Sequence, residues 1–206
     1  MQTIHVLFDS QHGQTMRIAQ QIARTLKEHG ALVHLSAVAD DDLPADLWSA
    51  DCLVLGGSIH DGYHSGALMA FVERYRRNLD SIPVAFFSVS LCAGGTASDR
   101  EEAKGYMERF VQELDWQPTV RTIFAGALRY RHYSWVTRCM MKWIAKKRGI
   151  DTDTKRNHEY TNWQTVERFA AACWRLANGL DPENQQTETL GYSEGVCAAE
   201  PPGNKV

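Results

Sequence analysis

Three short segments of this chain combine glycine, hydroxyl and amide residues in a way that suits nucleotide binding. The first, residues 9–15, reads Asp-Ser-Gln-His-Gly-Gln-Thr and leads directly into a helical pattern. Hydroxyl groups at Ser10 and Thr15, a glycine at position 13 and the N–H groups of a helix start can together bind a phosphate. The segment has neither a P-loop lysine nor a G-x-G-x-x-G pattern, which argues against ATP and dinucleotides. The alternative is an ordinary helix cap by Ser10 or Thr15.

The other two segments suit a flat ligand. Residues 56–65 begin with two glycines that would let a ring lie against the backbone, and they offer Ile59, His60 and Tyr63 as packing faces. Residues 88–95 supply small side chains and main-chain donors. Glycine and serine follow many parallel strands, so the order of the three segments carries the inference of a mononucleotide such as FMN. The predicted cofactor-binding residues are Ser10, Gln11, His12, Gly13, Gln14, Thr15, Ser58, Ile59, His60, Ser88, Val89, Ser90, Leu91 and Cys92.

Other kinds of chemistry find little support in the residue pattern. The five cysteines include no C-x-x-C pair and the eight histidines show no metal-binding spacing, so we expect reduced thiols and no metal site. No Ser-His-Asp or Cys-His pairing calls for covalent catalysis. A phosphatase C-x5-R motif from Cys92 would need arginine where Ser98 stands, and a response regulator would need aspartate where Gly56 stands.

The predicted elements place these segments at one edge of a sheet. Predicted strands are 3–8, 31–38, 51–56, 82–90 and 119–127, and predicted helices are 15–29, 66–78, 100–114 and 163–178. Apolar strands separated by helices predict an α/β fold with a parallel sheet covered on both faces. The segments after strands one, three and four then meet at the carboxyl edge, where such sheets bind ligands.

The overall composition predicts one domain. With 206 residues, 44% of them hydrophobic, we expect a single α/β domain, and with the three segments above it is an FMN-binding domain over residues 1–180. No apolar run reaches the length of about 18 residues that a membrane span needs, and the first strand starts without a leader pattern, so we expect a cytoplasmic protein. The polar tail 181–206, which contains Pro201-Pro202-Gly203, is expected to be disordered.

A basic and aromatic segment follows the fifth predicted strand. No acidic residue occurs between Trp116 and Ile150, although the chain as a whole has 25 acidic and 22 basic residues. A predicted helix over 136–148 separates cations from apolar residues. The cations are Arg138, Lys142 and Lys146; the apolar residues are Val136, Cys139, Met140, Trp143 and Ile144. The helix is either an ordinary surface helix or one that lies on an anionic membrane surface. We expect no nucleic-acid partner.

These segments resemble the flavodoxin-like, quinone-dependent protoporphyrinogen IX dehydrogenases of bacterial haem synthesis, from about residue 3 to residue 177. The basic segment is part of an insertion of about residues 128–160, which distinguishes this family from ordinary flavodoxins. The shared motifs are Gly13-Gln14-Thr15, Gly56-x-Ser58-Ile59, Ser88-Val89, Gly126-Ala127-Leu128-Arg129-Tyr130, Thr152-Asp153-Thr154 and Tyr160-Thr161-x-Trp163.

The resemblance implies a doubly wound, five-stranded parallel sheet in the order 2-1-3-4-5, with helices on both faces and the basic insertion after strand five. It implies FMN, protoporphyrinogen IX as substrate, menaquinone or ubiquinone as acceptor, and a peripheral position on the cytoplasmic face of the inner membrane. Arg129, Tyr130 and Arg131 are then candidate contacts for porphyrin propionates or lipid phosphates. The alternative for these three residues is a solvated surface loop.

Two positions depart from the family pattern. Asp9 stands where the family usually has a hydroxyl residue, and a carboxylate near a phosphate repels it. We expect Asp9 to weaken FMN binding without abolishing it, because a loop carboxylate can point to solvent. The second segment is one residue shorter around Asp61-Gly62.

A soluble flavodoxin-type electron carrier that passes electrons to a partner protein is the alternative function. Carriers of this kind generally present acidic surfaces to basic partners, whereas the additional segment of this chain is basic. This difference in charge favours the enzyme.

Overall fold

The structure, a computed structural model, describes residues 1–39, 43–128 and 158–182. Its strands are β1 (Thr3–Asp9), β2 (Leu32–Ala37), β3 (Cys52–His60), β4 (Tyr63–His64), β5 (Val84–Ser90), β6 (Val120–Ala125), β7 (Ala127–Leu128) and β8 (His158–Glu159). Its helices are α1 (Gln14–Glu28), α2 (Gly66–Leu79), α3 (Ala97–Glu113) and α4 (Trp163–Ala177), with short 3₁₀ turns at Leu47–Ser49 and Cys92–Gly94. Within these ranges no helix has both the length and the apolar character that a membrane crossing requires.

The five main strands form a parallel sheet in the order β2-β1-β3-β5-β6. The additional strand β4 has two residues and pairs antiparallel with the end of β3. With β4 set aside, the order is the predicted 2-1-3-4-5, so the flavodoxin-like topology is confirmed. Parallel connections run through helices, which is why the apolar strands alternate with α1, α2 and α3 along the chain.

Helices cover both faces of the sheet, as predicted. On one face α1 and α4 pack through residues such as Ile18, Ile22 and Phe169, whose helical spacing gives each helix one apolar side. On the other face α2 and α3 cover Leu55 and Phe86. Two layers of helix over a continuous apolar sheet place the core on both sides of the central strands.

The glycine pair of the second predicted segment lies inside a strand, so its predicted role is wrong. Gly56 and Gly57 belong to β3, which continues to His60. A Cβ atom at Gly56 would stand 2.0 Å from the ring of Phe87, and one at Gly57 would stand 2.4 Å from Leu68. The two glycines therefore make room for core side chains rather than for a flat ligand.

A small two-stranded sheet brings the ends of the inserted segment together. Residues Ala127 and Leu128 of β7 pair antiparallel with Glu159 and His158 of β8. The described residues on either side of 129–157 therefore meet at one place, directly after β6. Arg129, Tyr130, Arg131 and the predicted basic helix 136–148 lie outside the described residues, as does the tail from residue 183.

Candidate functional site

The three predicted segments meet at the carboxyl edge of the sheet. The strand register pairs Asp9 with Gly57, Ser58 with Val89, and Ser90 with Ala125. The ends of β1, β3, β5 and β6 therefore lie side by side. This is the edge at which doubly wound sheets bind ligands.

The first segment forms a tight loop before α1. Gly13 occupies the N-cap position with a left-handed φ of 81°, which glycine adopts without strain. Ser10 Oγ accepts a 3.1 Å hydrogen bond from the Gly13 N–H and so stabilises the loop. Within the described ranges no side chain caps α1, so the alternative of a Ser10 or Thr15 cap is wrong. The start of α1 thus presents N–H groups and a positive dipole end to the site, as anion sites do.

The other predicted residues of this loop differ in exposure. Gln11 and His12 are exposed, whereas Gln14 and Thr15 are buried at the first turn of α1. The exposed pair can therefore reach a ligand directly. Gln14 instead contacts other parts of the chain.

Three buried polar atoms remain unsatisfied beside this loop. Asp9 Oδ2, Ser58 Oγ and His60 Nε2 are buried and find no hydrogen-bond partner among the described residues. Buried polar atoms in native proteins are nearly always bonded, so such a group calls for a missing partner. Three of them at one edge of the sheet fit a polar ligand such as the one predicted for these loops.

Asp9 differs from the sequence-based expectation. It is the last residue of β1 rather than a loop residue, and its Oδ2 is buried instead of pointing to solvent. Side chains alternate between the two faces of a strand, so Asp9 lies on the same face of β1 as the buried Leu7, which explains its orientation. The Asp9 carboxylate therefore lies closer to the candidate site than a solvent-facing loop carboxylate would.

His60 is surrounded by another histidine and by two aspartates. Its ring meets the ring of His12 edge-on, with centroids 5.0 Å apart. Burial lowers the pKa of His60, the neighbouring His12 acts in the same direction, and Asp61 and Asp9 oppose it. Because burial dominates, the His60 ring is held in its neutral form at the site.

The third segment is divided between the sheet and the site. Ser88, Val89 and Ser90 are buried within β5, and the hydroxyls of the two serines contact neighbouring residues of the domain. Ser88 Oγ lies 3.3 Å from His64 Nε2, and Ser90 Oγ accepts a 3.3 Å hydrogen bond from the Ala93 N–H. Leu91 and Cys92 follow the strand and are partly exposed. Of this segment, these last two residues can contact a ligand.

The return of the inserted segment contributes residues that had no predicted role. Gln14 Nε2 donates to Thr161 Oγ1 at 2.9 Å, and Thr161 Oγ1 donates to the Ala125 carbonyl at 2.7 Å. Arg17 Nη1 forms a 2.7 Å ion pair with Glu159 Oε2. These contacts attach the segment after β8 to the first turn of α1. The motif Tyr160-Thr161-x-Trp163 marks this segment in the sequence. Hydrophobic periodicity does not predict which residues its side chains contact.

Comparisons with known proteins agree with this fold. A family model described as a flavodoxin domain matches residues 5–155. The flavodoxin, WrbA-like protein from Agrobacterium tumefaciens superposes with a TM-score of 0.50 at 14% identity, over 88% of this chain and 100% of that one. At that identity the superposition shows the fold alone.

Two curated relatives are similar in sequence as well. The protoporphyrinogen IX dehydrogenase [quinone] of Escherichia coli (strain K12) is 36% identical over 166 residues, which cover 80% of this chain and 91% of that protein. The protein of the same name from Leishmania major is 31% identical over 191 residues, covering 93% of this chain and 82% of that protein. The chain therefore belongs to the flavodoxin domain family and, within it, to the family of quinone-dependent protoporphyrinogen IX dehydrogenases.

Proposed function

We propose that this protein oxidises protoporphyrinogen IX to protoporphyrin IX in haem biosynthesis, with FMN as its cofactor and a respiratory quinone, menaquinone or ubiquinone, as electron acceptor. The observation that carries the proposal is the 36% identity to a relative of that name over 91% of the relative's length. The unsatisfied polar atoms at the carboxyl edge of the sheet support it, because they lie where a flavodoxin domain would need ligand contacts.

The first loop is proposed to hold the FMN phosphate. Ser10, Thr15 and the start of α1 supply hydroxyl and N–H groups, and the chain lacks the second phosphate-binding pattern that a dinucleotide would need. The flavin ring would then contact Ser58, His60 and Cys92, which surround the same edge. Ser58 and His60 each offer a buried polar atom for a hydrogen bond to the ring.

When bound, FMN supplies two-electron redox chemistry, so the removal of six electrons from the porphyrinogen requires three rounds. The chain positions the reactants and excludes water. Buried Val89 and Phe87 of β5 belong to the apolar core that supports this edge of the sheet, and His60 presents a neutral ring whose Nε2 has no partner among the described residues. A neutral imidazole at this position can accept a hydrogen bond or a proton released from the substrate.

The inserted segment is proposed to contact the substrate and the membrane. Its two ends meet at β7 and β8, and Glu159 at its return bonds Arg17 in the first turns of α1. The sequence of the segment supplies Arg129, Tyr130 and Arg131 for the propionates and the basic helix 136–148 for an anionic surface. This arrangement would place the protein on the cytoplasmic face of the inner membrane.

Steady-state oxidation tests the proposed reaction. Purified protein loaded with FMN is incubated with protoporphyrinogen IX under anaerobic conditions, with and without a menaquinone or ubiquinone analogue, and protoporphyrin fluorescence is followed. The proposal expects fluorescence growth that depends on the quinone. If no quinone supports oxidation and the protein instead exchanges electrons with a flavodoxin reductase, the carrier function replaces it.

Vesicle sedimentation tests the proposed membrane contact. Charge reversal at Arg138, Lys142 and Lys146 should release the protein from anionic vesicles, because each cation near such a surface contributes up to about 1 kcal/mol. Reversal at the exposed Arg24, Lys27 and Arg77 is the matched control and should leave binding unchanged. A native protein that does not sediment with anionic vesicles at low salt would remove this part of the proposal.

A further inference from the structure

Three side chains with metal-binding atoms converge away from the candidate site. His5 in β1 and His34 in β2 are register partners, and their rings stack with centroids 4.8 Å apart and planes 15° apart. Asp46, just before the 3₁₀ turn Leu47–Ser49, places Oδ1 3.4 Å from His5 Nε2. One ligand atom from each of the three lies within 4.8 Å of the other two.

The buried member of this cluster lacks the partners that a buried histidine needs. His5 is fully buried, and neither of its ring nitrogens makes a hydrogen bond within the described part of the chain. Asp46 Oδ1, 3.4 Å from Nε2, makes at most a long contact with that nitrogen, and Nδ1 has no partner in the same ranges. Leaving a buried polar group unbonded costs about 1–3 kcal/mol. A metal ion that takes up the ring lone pair would satisfy one of the two nitrogens and remove that part of the cost.

We propose that His5, His34 and Asp46 form a binding site for a divalent transition metal ion, zinc above all. Two imidazoles and one carboxylate are a ligand set that zinc accepts, with a fourth position left for water. Sulfur ligands play no part, because the cluster contains only nitrogen and oxygen donors.

The distances require the cluster to close around the ion, and the stacked rings require His34 to turn so that its in-plane lone pair points to the same ion as that of His5. Zinc lies about 2.0–2.2 Å from nitrogen and oxygen ligands, so ligand atoms of a tetrahedral site stand roughly 3.3 Å apart. The 3.4 Å between His5 and Asp46 already matches that separation. The side chain of Asp46 is 54% exposed, and His34 stands on the edge strand β2, so both can turn toward the ion.

The position of the cluster indicates a structural role for the ion. His5 precedes Asp9 by four residues in β1, which places it about 13 Å from the carboxyl edge of the sheet. An ion at this cluster would join β1, the edge strand β2 and the segment before Leu47–Ser49. Binding to the folded chain alone raises its stability in proportion to the logarithm of the free metal concentration.

Zinc binding to the full-length, untagged protein tests the proposal. After chelator treatment, Zn²⁺ is titrated in competition with a chromophoric chelator, and the thermal unfolding midpoint is recorded with and without metal. We expect one Zn²⁺ per chain and a higher midpoint. His34→Ala and Asp46→Asn should each weaken binding at least tenfold. The buried His5 is left intact because its replacement could prevent folding.

Matched variants and a second metal complete the test. His29→Ala and Asp115→Asn change one histidine and one exposed aspartate elsewhere and should bind zinc as the native chain does. Co²⁺ in place of Zn²⁺ should give visible d–d bands without a thiolate charge-transfer band. The proposal is overturned by the absence of stoichiometric binding, by binding that survives both His34→Ala and Asp46→Asn, or by a thiolate band.

Discussion

The side-chain amide of Gln14 donates a 2.9 Å hydrogen bond to the hydroxyl of Thr161, 147 positions later in the chain. The Thr161 hydroxyl in turn donates a 2.7 Å hydrogen bond to the carbonyl oxygen of Ala125, at the end of β6. One buried hydroxyl thus joins the start of α1, the last strand of the main sheet and the return of the inserted segment. The loop proposed to bind the phosphate depends on this junction for its position.

Thr161→Val should destabilise the protein. The variant keeps the shape of the side chain but removes the hydrogen bond from Thr161 to the Ala125 carbonyl and one of the two that the Gln14 amide donates, which costs about 1–3 kcal/mol. Urea unfolding measures the change. Thr25→Val is the matched control, because the Thr25 hydroxyl is buried and has no partner among the described residues. That variant should be neutral or stabilising, and equal losses for the two variants would contradict the role given to Thr161.

The fold was largely predictable from local patterns, because strand and helix periods depend on nearby residues. The start of α3 was placed too late, at Arg100 instead of Ala97, although the sequence contains its signal. Thr96 and Asp99 form a capping box, with Thr96 Oγ1 accepting from the Asp99 N–H and Asp99 accepting from the Thr96 N–H. A Thr-x-x-Asp pattern at a helix start predicts this arrangement.

The site was less predictable, because its details depend on contacts across the sheet. In the sequence, Gly56 and Gly57 resemble loop glycines. Their role in making room for Phe87 and Leu68 depends on how neighbouring elements pack. The roles of Thr161 and Gln14 likewise follow from a contact between segments far apart in sequence. The meeting of the three segments at one edge of the sheet was correctly predicted, because parallel strands bring their carboxyl ends together.

Thr15→Ala should weaken FMN binding. Loss of one hydrogen bond to a charged phosphate costs about 1 to 2 kcal/mol, which corresponds to an affinity roughly 5- to 30-fold lower. Flavin fluorescence quenching measures the dissociation constant. Thr25→Ala, further along the same helix, is the control and should bind FMN as the native chain does. An unchanged affinity of Thr15→Ala would exclude this hydroxyl from the phosphate site.

Asp9→Asn should tighten FMN binding. The substitution removes a partly buried negative charge at the site while keeping the size of the side chain, and the repulsion removed is about 1 kcal/mol or more. Asp61→Asn, whose side chain is exposed, should have a smaller effect because solvent screens its charge. Weaker binding in Asp9→Asn would show that the carboxylate helps to hold the cofactor.

The buried His64 should make stability depend on pH. Its ring packs against both Phe86 and Phe110, and burial lowers its pKa from 6.5 to about 3. Between these two values the unfolded chain binds a proton that the folded chain does not, so stability falls as the pH falls below 6.5. From pH 7 to 4.5 the loss from this residue is about 2 to 3 kcal/mol.

Urea unfolding of His64→Gln at the same two pH values checks this dependence. The variant should lose less stability than the native protein on acidification, because one buried histidine no longer titrates. Between pH 7 and 8 the difference between the two proteins should be nearly constant, since the ring is neutral in the folded chain and mostly neutral in the unfolded chain there. An equal loss on acidification in both proteins would show that His64 is not responsible.

Electron transfer from porphyrinogen to quinone through the bound flavin is the central claim, and an anaerobic spectral titration tests it most directly. Protoporphyrinogen IX is added to the FMN-loaded protein while the visible flavin absorbance is recorded, and a ubiquinone or menaquinone analogue is added afterwards. We predict that the porphyrinogen bleaches the flavin absorbance with three equivalents of flavin reduced per protoporphyrin formed, and that the quinone restores it. A flavin absorbance that porphyrinogen leaves unchanged would contradict the proposed function.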